Sequence, residues 1–193
     1  MKAYWVWAIA MAGGTAAHAG EPVVAVYLHD TAHGVDRVPV ALARQQATEM
    51  FQAIGVAVEW RFGDVRRAAA DSAFPPIVIQ LDATAEGSFS SRALAFALPF
   101  ASSGTRIHVF LDRVADLTSG HLSAPVLAHV LAHEITHVLE GVDRHSQEGV
   151  MKARWDFDDL QRMKRRPLNF SAWDVELIHA GLKARLARPP VTE

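Results

Sequence analysis

His133, Glu134 and His137 stand in the spacing HExxH, at the head of the stretch HEITHVLEGVDRHSQEGVM over 133–151. On an α-helix, residues four apart lie one turn above the other, so both imidazoles point the same way and can grip one ion. Glu134 is turned about 100° around the axis from His133. Its carboxylate then sits beside the metal rather than on it, where it can hold a water and take its proton. The chemistry indicated is hydrolysis at one catalytic Zn2+, with Glu134 as general base.

A catalytic zinc of this kind takes three protein ligands and keeps its fourth position open. His129 completes an i, i+4, i+8 series with His133 and His137. Eight residues of helix rise about 12 Å, however, while zinc–nitrogen bonds are about 2.1 Å, so one ion cannot take both ends. His129 is therefore expected in the core or behind the ligands. Past the helix, Gly141 lets the chain turn back, and His145 is the first imidazole it can return. On spacing alone, Asp143 and Glu148 compete for the same place. His29, His33, His108, His121 and His179 carry no spacing that indicates ligation, although His108 falls in a strand candidate near the expected cleft.

The elements that must position these groups are legible around them. Ser123 is placed to cap a helix over 124–140, Pro125 is tolerated in its first turn and Gly141 ends it. Val126, Leu127, Val130, Leu131, Ile135, Val138 and Leu139 make that helix apolar nearly all round, which predicts burial. Buried His, Glu and His without partners are costly, and a metal removes that cost. Upstream, strands are predicted over 23–30, 56–62, 75–83 and 105–114, with a short edge strand over 93–100 limited by Pro99. A helix over 39–55 carries Ala43, Ala47, Met50, Phe51 and Ile54 at helical spacing, with Gly55 as its stop. Downstream, a short helix is predicted over 157–164 and a longer one over 171–186. The longer one opens on a capping box, Ser171-x-x-Asp174, and its stripe is Val175, Ile178, Leu182 and Leu186. Segments 63–74 and 84–92 read as long loops beside the cleft. The order gives an α+β layout, helices packed on a sheet, in one domain over 20–193.

The first 19 residues read differently. A basic start at Lys2, an apolar run over 3–12 and Ala17-His18-Ala19 before Gly20 make a secretory signal peptide too short to span a membrane comfortably. The expectation is a secreted or periplasmic protein, free of the membrane after cleavage. Loss of Lys2 leaves 18 basic against 21 acidic residues, a balance that offers nothing to nucleic acid or an anionic surface. Lys164-Arg165-Arg166 lacks interleaved aromatics and reads as a solvated helix end. The absence of cysteine excludes thiol chemistry and restricts any metal site to His, Asp and Glu.

HExxH, a turning glycine, a histidine followed by serine and a nearby methionine together resemble the metzincin clan of zinc endopeptidases. His145-Ser146-Gln147-Glu148-Gly149-Val150-Met151 is similar to the Met-turn region of its matrixin-like members. Phe51 to Trp60 and Gly149 to Trp155 resemble stretches shared by a set of secreted bacterial metzincin-like proteins. The resemblance implies a twisted mixed sheet with an edge strand along the cleft, a central zinc helix, a Met-turn and a C-terminal helix. It implies His133, His137 and His145 as zinc ligands, Glu134 as base and Met151 as the Met-turn residue. The clan's usual pattern is HExxHxxGxxH; here Gly141 comes four and His145 eight residues after His137, so the loop 141–144 must absorb extra length. No tyrosine follows Met151 to assist the oxyanion. The activity implied is cleavage of a peptide or protein substrate lying extended along the edge strand. Two other readings fit the sequence: a binding protein on a degenerate protease scaffold with structural zinc, and a zinc hydrolase of a non-peptide amide.

Overall fold

The computed structural model describes residues 23–30, 36–62, 76–84, 93–98 and 105–187. The signal peptide expected over 1–19 lies outside these residues, as do His33, the segment 63–74 and the segment 84–92 beyond Thr84. Five strands are described: β1 (Val23–Asp30), β2 (Ala57–Arg61), β3 (Ile77–Asp82), β4 (Ala95–Leu98) and β5 (Thr105–Phe110). They form one sheet in the order β2-β1-β3-β5-β4. The first four in that order are parallel, and β4 runs antiparallel on β5 at the edge. The expected α+β layout with a mixed sheet and an edge strand is the one observed.

Helix α1 (Arg37–Gln52) begins earlier than periodicity suggests, because the Asp36 side chain accepts the Val38 N–H and sets the cap. It ends before Ile54, and Gly55 takes the left-handed conformation, φ 73°. Its stripe of Val40, Ala43, Ala47, Met50 and Phe51 is buried. The strand expected over 105–114 is shorter. Its ladder with β3 ends at Asp82 opposite Phe110, and the chain turns at once into helix α2 (Leu111–Asp116). Leu111 and Val114 are both buried, a helical spacing of three that an apolar run of strand type had concealed.

Helix α3 (Ala124–Glu140) packs against α1 and against the β5–β4 side of the sheet. Alternate residues of the central strands (Val24, Val26, Ile77, Ile79, Leu81, Ile107 and Val109) join its buried face and that of α1 in one core. Ser123 occupies the N-cap position with extended backbone, but its hydroxyl makes no capping bond. Pro125, in the first turn, has no N–H to give it. Gly141 closes the far end in the left-handed conformation, φ 69°, its N–H on the His137 carbonyl. Among the described residues, no helix is long and apolar enough to cross a membrane.

Helix α4 (Phe157–Met163) starts on a reciprocal Asp156–Asp159 capping box. Helix α5 (Ala172–Leu186) starts on the predicted Ser171–Asp174 box. Ile178 and Leu182 are buried and Val175 packs against the core, whereas Leu186 is exposed rather than part of the stripe. The crossing of α5 on α3 is a backbone contact. A Cβ added at Gly181 would come within 1.8 Å of the Leu139 carbonyl oxygen. Alanine is about 1 kcal/mol better than glycine inside a helix, so propensity alone predicts that Gly181→Ala stabilises. The clash outweighs it: urea unfolding of the metal-free protein should show a loss of at least about 3 kcal/mol, the upper end for overpacking. A neutral Gly181→Ala would mean that the two helices separate freely.

Candidate metal centre and cleft

His133 and His137 face the same side of α3, their Nε2 atoms 3.0 Å apart. The loop after Gly141 brings His145 to them, its ring centroid 5.3 Å from that of His133 and 5.0 Å from that of His137. The three imidazoles each offer a nitrogen, and these nitrogens lie within 4.8 Å of one another. Two nitrogens on tetrahedral zinc stand about 3.4 Å apart, by the zinc–nitrogen length of about 2.1 Å. Among the described residues this is the group of His, Asp and Glu side chains able to hold a metal ion, and neither Asp143 nor Glu148 belongs to it.

The protonation of the rings suits ligation. His133 Nδ1–H donates to the Val150 carbonyl at 2.9 Å, which fixes the tautomer and leaves Nε2 with its lone pair free for a metal. His137 Nε2 lies 3.0 Å from that lone pair, close enough for one cation to take both nitrogens. Burial pushes His133 down to about 4, against the opposing pull of the Val150 carbonyl, and pushes His137 down as well. His137 Nδ1 is buried without a well-formed hydrogen bond, and the Val142 backbone is the acceptor that acts on it. Neutral histidine, the form that binds metal, is therefore the resting state of both at neutral pH. The donor set fits Zn2+: three imidazole nitrogens, no thiolate and room for a fourth ligand.

Glu134 lines the same cleft. Burial, and secondarily the Asp143 carboxylate, raise it to about 7. Met151 is fully buried, and its turn is built tightly. Gly149 has φ 78°, and a Cβ there would meet the Asn169 carbonyl oxygen at 2.3 Å. Val150 N–H donates to that same Asn169 carbonyl, and the Met151 carbonyl accepts the Ser146 N–H at 2.7 Å. The turn thus supplies the acceptor for His133 and a backbone tie for the residue after His145.

The cleft has a volume of about 830 Å³. The edge strand β4 contributes Ala95 and Phe96 to one wall, and Ala153 to Trp155 line it after the turn. Phe96, Leu117 and Val142 are exposed apolar side chains on its rim. His108 does not line it; its Nδ1 meets Asp82 Oδ2 at 2.8 Å. Lys164, Arg165 and Arg166 are exposed, as a solvated helix end should be.

His129 proves to be a core residue that ties two elements together. Its Nδ1–H donates to the Pro125 carbonyl at 2.6 Å and its Nε2 accepts the Leu168 N–H at 2.9 Å. Both ring nitrogens are satisfied only in the neutral form, and burial lowers it to about 4. The unfolded chain takes up that proton near the ordinary imidazole value, so stability contributed by neutral His129 is complete above about pH 6.5 and is lost as pH falls towards 4. The difference is worth about 3 kcal/mol. Denaturant titrations between pH 7 and 4 should show a slope shallower by about one proton in His129→Gln than in wild type. Equal slopes would mean that His129 keeps its proton when folded.

Arg144 and Asp174 join the site with no sequence signal of that role, and Ser146 had one only as the serine that follows His145. Asp174 is fully buried, and its Oδ1 accepts Arg144 Nη2 at 2.6 Å and Ser146 Oγ at 2.6 Å. Only half of that network had a local signal, the capping box of Ser171 and Asp174.

No protein-family model matches the sequence, and no curated protein matches it. Solved structures share the fold. Metalloproteinase-II from Bacteroides fragilis superposes with a TM-score of 0.53 at 12% identity, over 83% of this chain and 53% of that one. Archaemetzincin from Methanopyrus kandleri superposes with a TM-score of 0.53 at 18% identity, over 84% of this chain and 97% of that one. The chain spans about half the length of the Bacteroides protein. At these identities the likeness is one of fold.

Proposed function

We propose that this protein is a zinc-dependent peptidase, in which His133, His137 and His145 hold one Zn2+ and Glu134 is the general base. The carrying observation is the convergence of three imidazoles beside the half-buried carboxylate of Glu134 at the wall of an open cleft. The name of one fold neighbour, a metalloproteinase, supports the reading. Bound zinc would acidify water and polarise the scissile carbonyl. The chain's own residues do the rest. Glu134 accepts the proton of the attacking water and passes it to the departing amine. The outer edge of β4, paired on its other side with β5, offers backbone groups to a substrate in extended conformation. Phe96, Leu117 and Val142 exclude water around it and favour apolar side chains near the cleaved bond.

The test is zinc content together with cleavage of an unbiased peptide mixture, with and without a chelator. Chelator-sensitive cleavage with about one zinc per chain is the expected result. Zinc bound tightly with no peptide cleaved would defeat the peptidase reading and favour a binding scaffold or the hydrolysis of some other amide.

A further inference from the structure

His145 differs from the other two imidazoles. His133 is buried and His137 half-buried on a rigid helix, whereas His145 is exposed on an irregular loop. Its ring meets only those of His133 and His137 in the contacts described and is otherwise open to solvent, and residues 141–145 have no regular secondary structure before Ser146 bridges to Lys152. The residues on either side of it, however, are both fastened to one buried atom. Arg144 Nη2 and Ser146 Oγ each donate to Asp174 Oδ1 at 2.6 Å, and Arg144 Nη1 donates to Ser146 Oγ at 3.0 Å. Asp174 Oδ2 accepts the Ser171 N–H at 2.8 Å, which anchors the carboxylate in the first turn of α5. Arg144 also places Nε 3.5 Å from Glu140, a buried carboxylate at the end of α3. The ligand loop is thereby pinned between the ends of two helices.

We propose that Asp174, acting through Arg144 and Ser146, is the positioning residue that sets His145 for the metal. This rests on the metal-binding part of the reading above and is independent of peptide cleavage. The physical need is plain. A loop lengthened between the second and third histidines gains conformational freedom, and ordering it on metal binding costs affinity unless the order is built in beforehand. A charge-assisted pair with a fully buried carboxylate, bound on both sides of the ligand, fixes the backbone of His145 without touching its ring. A simple capping role for Asp174 requires the Ser171 contacts and gives no reason for the other two.

The experiment compares Arg144→Gln, Arg144→Lys and Ser146→Ala with Ser171→Ala, which removes the α5 cap and leaves both loop contacts in place. Zinc Kd is measured by chelator competition, the Co2+ derivative by its visible spectrum and the metal-free protein by thermal unfolding. Arg144→Gln should weaken zinc by about 10- to 100-fold, the usual loss when a group supporting a ligand is removed. Ser146→Ala should move the same way by less, and Arg144→Lys should recover part of the loss. The Co2+ spectrum of Arg144→Gln should change in shape as the third nitrogen becomes irregular. Ser171→Ala should lower the unfolding temperature and leave zinc Kd within about twofold, since the cap bond is remote from the loop. Wild-type Kd in folded Arg144→Gln and Ser146→Ala overturns the proposal, and so does a Ser171→Ala loss as large as theirs. If Arg144→Gln does not fold, Ser146→Ala decides alone. A wild-type protein that takes no zinc removes the ligand role of His145 and this inference with it. Zinc bound normally with no cleavage defeats only the peptidase reading.

Discussion

Glu134→Gln should cut peptide cleavage by about 10²- to 10⁴-fold while leaving zinc Kd within a factor of a few, the range general-base catalysis supplies. Glutamine matches glutamate in shape and still hydrogen-bonds water, but it cannot take a proton. Glu134 is raised to about 7 by burial and by the Asp143 carboxylate. A bound Zn2+ would pull that value back down and keep the carboxylate ionised, the form that takes a proton from water. The substitution also removes a half-buried charge from beside the Asp143 carboxylate, so the folded state should be at least as stable as wild type. Loss of activity therefore reports chemistry rather than unfolding. In energy, the expected loss is about 2.7–5.5 kcal/mol of transition-state stabilisation. kcat/KM on a cleaved peptide, paired with a zinc titration of each protein, reads both quantities. Undiminished cleavage by Glu134→Gln would remove the general-base role and leave the glutamate a structural group.

How much of this was legible beforehand follows from the range over which each signal acts. The zinc helix could be read because its signals are local: apolar periodicity over 124–140, Gly141 at its end and two histidines one turn apart. The capping box of α5 was legible for the same reason, three residues of spacing. The break between β5 and α2 was not, because the apolar residues Ile107, Val109, Phe110, Leu111 and Val114 follow one another without a turn signal, and only the end of the ladder at Asp82 and Phe110 separates strand from helix. His129 could be excluded as a ligand by helix rise. Its actual partners, Pro125 and Leu168, required the tertiary fold, Leu168 being 39 residues away. Arg144 and Asp174 lie 30 residues apart, and nothing in either local sequence announces the pair. The third ligand stood between these cases. Gly141 and the composition allowed His145, Asp143 or Glu148, and the folded loop gathers His145 with the helical pair.

His145→Ala is the variant that tests this last step, and it should weaken zinc by more than about 100-fold. Zinc sites of four ligands gain about 10–16 kcal/mol, so one nitrogen is worth on the order of 3 kcal/mol. Because His145 is exposed, its removal takes little from the core. Metal-free stability should stay within about 0.5 kcal/mol of wild type, the usual range for a surface substitution. His133→Ala makes the contrast: it removes both a ligand and a buried hydrogen bond to the Val150 carbonyl, so affinity and metal-free stability should fall together. Calorimetric zinc titration and urea unfolding of the two variants separate these outcomes. The rank order then carries the structural argument: His145→Ala loses more affinity than Arg144→Gln, because a lost ligand costs more than a loosened one. Full zinc affinity in His145→Ala would move the third ligand to another side chain, with Asp143, beside Glu134 in the cleft, the first to examine.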